Sequence, residues 1–346
     1  MPANGCAAST APLRLSVLDQ SPIAEGGTGA AALKNTVDLA RLTDELGYSR
    51  YWVAEHHGMP MLASTAPEIL IAEIAAVTER IRVGSGGVML PHYSPLKVAE
   101  TFSILGGLHG DRIDLGVGRA PGSDRETMYA LQRDRRQMSP DDFPEQLTEL
   151  LAYFENDFPD DHLFARLAAL PGAPGRPDVW LLGSSPQSAI WAGELGLPYS
   201  VADFINPEGA ENARLYRDRF APSRRRDQPE TTVCVSAICA ETEDDARRLA
   251  ASQRMAITLL RRGRVIAVPA VEKALAFLAQ EGIAEGAGGR RVVVGTPERV
   301  RAGLEDVAAE YGAEEVLVVT ITHDHGARRR SYELIAEAFG LDRPAR

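Results

Sequence analysis

The chain has 346 residues, is 45% hydrophobic and 25% charged, and carries a formal net charge of −11. Those proportions are typical of a soluble globular protein, and the length accommodates two domains or one α/β barrel around a large core. The acidic balance disfavours nucleic acid or an anionic membrane as partner, and no run of roughly 18 apolar residues offers a membrane span.

The start, residues 1–12, lacks a basic stretch and a long apolar run, so it reads as a disordered tail and not as a signal peptide. Leu13–Leu18 is a short apolar run. Ala30–Gly47 follows with helical spacing at Leu33, Val37, Ala40 and Leu46, and Gly47 as a stop. A strand at Tyr51–Ala54 ends abruptly in Glu55-His56-His57. Ala66–Arg80 is a helix with Pro67 in its first turn. Ile81–Leu90 is a strand containing Gly84, Gly86 and Gly87, Leu96–Leu108 a helix, and Arg112–Val117 a strand leading to Gly118-Arg119. Ala120–Arg176 is an elaborated connection with one helix near Pro144–Phe154. Then come a strand at Asp178–Leu182, a helix at Ser185–Leu195, a strand at Leu197–Ala202 and a helix at Ala210–Phe220. The strand Thr231–Ala240 and the helix Asp244–Leu260 precede a second insertion, Arg261–Arg291, with helical Val271–Gln280. Thr296-Pro297-Glu298 caps another helix. Val316–Ile321 is the last strand and Arg330–Phe339 the last helix.

Eight strands each followed by a helix predict a (β/α)8 TIM barrel over residues 13–340, with insertions near 120–176 and 261–291. An open doubly wound sheet also alternates, but no Gly-x-Gly-x-x-Gly follows the first strand. Cys6, Cys234 and Cys239 have no metal-ligand spacing and no even disulfide set, which fits a reducing cytoplasm.

In such a barrel, chemistry gathers where strands end. Five of the seven histidines lie just past strand ends: His56, His57, His92, His323 and His325. His56 beside Glu55 suits proton transfer, the carboxylate fixing the imidazole. The bland alternative is a hydrogen-bonded core histidine. Metal binding by the histidines lacks a His-x-x-x-His spacing or a cysteine pair to support it. Gly86-Gly87 inside an apolar strand marks a bulge or the close approach of something flat. Gly183-Ser184-Ser185-Pro186-Gln187-Ser188 runs from a strand into a helix. Free N–H groups and hydroxyls there, with Arg119, make an anion site suited to phosphate; plain helix capping is the alternative. Asp19, His92, Asp324 and His325 also follow strand ends and are candidates for substrate contact.

These motifs, Arg50-Tyr-Trp-Val-Ala-Glu-His-His57, Gly84-Ser-Gly-Gly-Val-Met-Leu-Pro-His-Tyr-Ser-Pro95, Gly116-Val-Gly-Arg-Ala-Pro-Gly122, Leu181-Leu-Gly-Ser-Ser-Pro-Gln-Ser188 and Val294-Gly-Thr-Pro-Glu298, resemble the bacterial luciferase-like flavin-dependent monooxygenases from Leu13 to Phe339. The resemblance implies a TIM barrel that takes FMN, as reduced FMN from a separate and transient flavin reductase. With O2 as co-substrate, a peroxyflavin then oxygenates a small organic substrate. By the same resemblance His56 is the catalytic base; its position beside Glu55 makes the carboxylate its expected orienter and leaves His57 structural. Gly86-Gly87 is the bulge under the isoalloxazine, with a non-prolyl cis peptide in the family. Arg119, Gly183, Ser184, Ser185 and Ser188 hold the phosphate, and a homodimer is expected. Two departures stand out: Gly118 replaces a cysteine near the flavin C4a, and Ser184 replaces an acidic residue. Nothing in the sequence supports light emission. A deazaflavin-dependent hydride transfer on the same fold, or a non-catalytic flavin-binding protein, are the rival readings. The long loops carry no legible code for the substrate.

Overall fold

Period-two alternation in the strands sorts side chains between two cores. In β1 (Arg14–Asp19), Leu15 and Val17 face the surrounding helices, whereas Ser16 and Leu18 face the opposite way. In β2 (Arg50–Val53), Tyr51 and Val53 face the helices and Trp52 faces the second core. The computed structural model describes residues 12–119, 125–131, 142–165, 167, 171–172, 174–206, 208–284 and 291–341. The expected tail up to residue 11, Ala120–Gly122 of the third motif and most of the connection up to residue 141 lie outside the described residues.

Beyond β1 and β2, the strands are β3 (Arg82–Met89), β4 (Ile113–Gly118), β5 (Asp178–Gly183), β6 (Tyr199–Ala202), β7 (Thr231–Cys239), β8 (Val292–Gly295) and β9 (Glu315–Val319). The helices are α1 (Gly29–Leu46), α2 (Pro67–Val77), α3 (Pro95–His109), α4 (Arg125–Leu131), α5 (Phe143–Glu155), α6 (Pro186–Glu194), α7 (Ala210–Arg219), α8 (Glu243–Arg261), α9 (Val271–Gln280), α10 (Pro297–Tyr311) and α11 (His325–Phe339). β1 to β7 pair in sequence, β7 pairs with β9, and β9 returns to β1, every pairing parallel. This is a closed (β/α)8 barrel. β8 lies outside the ring and pairs only with the end of β7, at Ser236–Cys239. It was not expected from the sequence. The final helix also begins at His325, five positions before the expected Arg330.

The barrel interior is layered. At the end where the strands begin, buried Arg50 pairs with Asp114 at 2.8 Å and with Glu315 at 3.0 Å. Arg82 reaches the other Asp114 oxygen at 2.5 Å, and the Trp52 indole N–H donates to Asp114 at 2.9 Å. Buried charges need such full pairing, because an orphaned one costs several kcal/mol. Above this layer Trp52 and Trp180 meet edge to face at 5.4 Å, with Leu18, Leu317 and Val319 around them. That apolar plug floors the cavity described next. No helix among the described residues is long and apolar enough to cross a membrane.

Candidate active site

A cavity of about 380 Å³ opens where the strands end. Its wall is built from Ala54–His56 after β2, Gly86, Gly87 and Met89 of β3, Gly118 and Arg119 at the end of β4, and Leu181–Ser185 of β5. Leu18, Leu182 and Cys234 also line it, and Phe143, Trp191, Phe204 and Ile205 supply apolar walls. The volume and the mainly apolar lining with a few polar groups suit a small organic ligand.

Gly86 and Gly87 of β3 are dictated by packing. A Cβ on Gly86 would stand 2.5 Å from Leu18 Cδ1, and one on Gly87 2.8 Å from the Gly116 carbonyl oxygen. The β3–β4 register shifts between Gly86 and Val88, and the Gly86–Gly87 peptide is cis. The bulge thus turns bare backbone toward the cavity. Gly118 is different: a Cβ there meets only the Leu182 carbonyl, at 3.9 Å.

One part of the cavity gathers groups that could hold an anion. Ser185 is the N-cap of α6, its hydroxyl accepting from Ser188 N, with Pro186 in the first turn. The Ser184 carbonyl is held by the amides of Asn206 at 3.3 Å and Asn212 at 3.1 Å. Gly183 must be glycine, because its Cβ would lie 2.1 Å from Ser188 Oγ. Arg119 lies with its guanidinium 5.7 Å over the Trp191 ring on the same helix. It is the one cationic side chain among the described cavity-lining residues. Helix N–H groups, the α6 dipole and Arg119 converge there, as an anion site needs. Ser188 also lines the cavity. Its hydroxyl is buried, donating to the Ser185 carbonyl at 2.7 Å and meeting Tyr199 Oη at 2.9 Å.

On the β2 side, His56 lines the cavity and its Nδ1 is buried without a hydrogen-bond partner among the described residues. Its backbone N–H donates to the Ser64 carbonyl at 2.9 Å, which fixes the main chain. Burial, with His57 adding to it, lowers the imidazole to about 4, so it is neutral at pH 7. Glu55 does not orient it. The fully buried Glu55 carboxylate faces His57 Nε2 at 2.7 Å, accepts from Tyr93 Oη at 3.1 Å and from Met89 N at 3.0 Å. The carboxylate thus meets His57, two residues on, and not its neighbour His56.

The four substrate candidates lie elsewhere. Asp19 is fully buried on the helix side of β1, paired with Arg328 at 2.7 Å and bonded to the Tyr51 hydroxyl. Burial alone would raise its carboxyl, but Arg328 and Tyr51 hold it below the ordinary value. Asp324 is the N-cap of α11, accepting from Ala327 N at 2.7 Å. His325, in the first turn of that helix, meets Asp38 at 2.8 Å and borders a separate cleft of about 140 Å³. His92 stands edge-on to His57 with ring centres 6.0 Å apart, behind the Glu55 cluster. None of the four lines the main cavity. The apolar walls Met89, Phe143, Trp191, Phe204 and Ile205 were missed, because in sequence they look like ordinary core.

A family model for luciferase-like monooxygenases matches residues 13–315. The chain belongs to the luciferase-like monooxygenase family. Among its family relatives, a luciferase-like monooxygenase of Escherichia coli is 41% identical over 93% of this chain and 96% of the relative. An N-acetyl-S-alkylcysteine monooxygenase of Bacillus subtilis is 38% identical over 94% of this chain and 98% of the relative. The crystal structure of apo-MsnO8 superposes with a TM-score of 0.86 at 43% identity, covering 96% of this chain and 98% of that one. The barrel alone is shared with two remoter structures. One is the oxygenating constituent of 3,6-diketocamphane monooxygenase of Pseudomonas putida in complex with FMN (TM-score 0.71, 19% identity, 94% of this chain and 97% of that one). The other is an F420-dependent secondary alcohol dehydrogenase (TM-score 0.63, 15% identity, 95% of this chain and 99% of that one).

Proposed function

We propose that this luciferase-like monooxygenase works with reduced FMN, delivered by a separate flavin reductase, and O2 to oxygenate a small organic substrate. The observation that carries the reading is the polarity of the cavity: apolar along its length, with Arg119 and the α6 N-terminus at one end. FMN has the same division, a flat apolar ring system and a phosphate. Arg119, the α6 amides, Ser184 and Ser185 would hold the phosphate. The Gly86–Gly87 backbone would lie along the ring, where side chains are barred. Bound reduced FMN would supply the electrons that activate O2 for transfer of one oxygen atom.

The chain's own work is binding, exclusion of water and proton handling. His56, neutral at pH 7, accepts a proton at its cavity-facing imidazole. Phe143, Phe204 and Ile205 keep water from the reacting atoms and present an apolar surface to the substrate. The B. subtilis relative named for N-acetyl-S-alkylcysteines makes thioethers the first substrates to try. The test is oxygen uptake with a flavin reductase, FMN and N-acetyl-S-alkylcysteines, comparing wild type with His56→Ala. Substrate-dependent uptake lost in the variant, with FMN affinity kept, is expected. Equal turnover in the variant rules out His56 as the proton acceptor. The F420 enzyme sharing this barrel makes hydride transfer without O2 the alternative, which product formation in the absence of O2 would favour.

A further inference from the structure

The ladder between β2 and β3 ends at Val53–Ser85, but β3 runs on to Met89. Across the following residues the β4 register shifts between Gly86 and Val88. The stretch walling the cavity is therefore a strand end that has lost its β2 partner just where it bulges. Backbone N–H groups in such a place need another acceptor. Met89 N finds one in Glu55 Oε2 at 3.0 Å, a side chain from the segment that continues β2. The opposite oxygen is held by Tyr93 Oη at 3.1 Å and by His57 Nε2 at 2.7 Å. Tyr93 sits between β3 and α3, so the carboxylate ties the end of β2 to both ends of one turn. Burial, with Glu55 beside it, raises the Tyr93 phenol above its ordinary value, which keeps it a donor.

We propose that Glu55 is a positioning residue that replaces the missing β2–β3 ladder and holds the Gly86–Met89 backbone in the shape the cofactor needs, with His57 and Tyr93 fixing its carboxylate. The cofactor half of this inference rests on the flavin reading above; the backbone half does not. Glu55 is thus separate from the proton chemistry of His56, although the two are adjacent in sequence. His57 gains a role as the group that locks the brace.

Hydrogen exchange of the whole chain without cofactor, read on peptides covering residues 86–90, tests the brace in wild type, Glu55→Ala and Glu55→Gln. FMN dissociation constants and the visible circular dichroism of bound FMN are measured on the same proteins. In Glu55→Ala, exchange at 86–90 should speed up at least about tenfold, as expected for losing a hydrogen bond to a charged group. FMN affinity should fall about tenfold, and the dichroism should change. Glu55→Gln keeps an acceptor oxygen and should restore much of both, which also guards against a variant that merely folds badly. Unchanged exchange at 86–90 overturns the inference. So does faster exchange with FMN affinity and dichroism equal to wild type. A wild-type chain that binds no FMN refutes the flavin reading, while the exchange result still decides the brace.

Discussion

Substituting His56 with leucine should make folding less sensitive to acid. In the folded chain burial, with His57 adding to it, lowers the imidazole from 6.5 to about 4. Unfolding returns it to water, where it takes up a proton as pH falls below 6.5. Protons therefore bind the unfolded chain more tightly. Stability from the neutral imidazole is intact above pH 6.5 and is lost progressively as pH falls toward 4. For this shift, linkage gives a loss of about 2 kcal/mol between pH 7 and pH 5, approaching about 3 kcal/mol below pH 4. The other titrating groups remain in both proteins and largely cancel in the comparison. Urea unfolding of wild type and His56→Leu at pH 7, 6 and 5 reads the difference. The variant should lose about 2 kcal/mol less than wild type between pH 7 and 5. Parallel pH profiles would show that burial does not lower the imidazole below its ordinary value.

Other outcomes follow from the same geometry. Arg119→Gln should weaken FMN about tenfold to a hundredfold, as a charge-assisted contact predicts, and leave riboflavin, which lacks the phosphate, unchanged in a fluorescence titration. Equal losses for both would move Arg119 away from the phosphate. Gly183→Ala places a Cβ 2.1 Å from Ser188 Oγ, so the α6 cap must shift. FMN affinity should drop while far-ultraviolet dichroism stays that of the wild type. Asp114→Ala leaves Arg50, Arg82 and the Trp52 N–H short of their shared acceptor. Chemical denaturation should register a loss of about 3–5 kcal/mol, and a loss below 1 kcal/mol would mean that water replaces the carboxylate.

Much of the barrel was legible because strands and helices differ in period. All eight ring strands stand where the apolar runs put them, with ends moved by one or two residues. β8 escaped because its four residues, Val292–Gly295, abut the Thr296-Pro297 cap and read as the end of an insertion. α11 was read five residues too short, because His325-Gly326-Ala327 has no apolar periodicity. That error made Asp324 and His325 look like mouth residues, when they are a helix cap and a first turn. The cavity's polar landmarks, His56, Gly86, Gly87, Arg119, Ser184 and Ser185, were visible as residue types out of place in a core. The partner of Glu55 was not visible. Adjacency suggested His56, whereas the carboxylate meets His57, beyond the end of β2 where strand alternation no longer guides the reading. Asp19 misled in a similar way: strand-end position is shared by both faces of β1, and only register tells that it faces the helices.

Anaerobic titration with reduced FMN and with reduced F420, each followed by admission of O2, tests the central claim most directly. The account predicts saturable binding of reduced FMN, weakened in Arg119→Gln, no saturable binding of F420, and O2 consumption coupled to substrate oxygenation. Binding of reduced F420 in preference to FMN, with substrate turnover independent of O2, would contradict it.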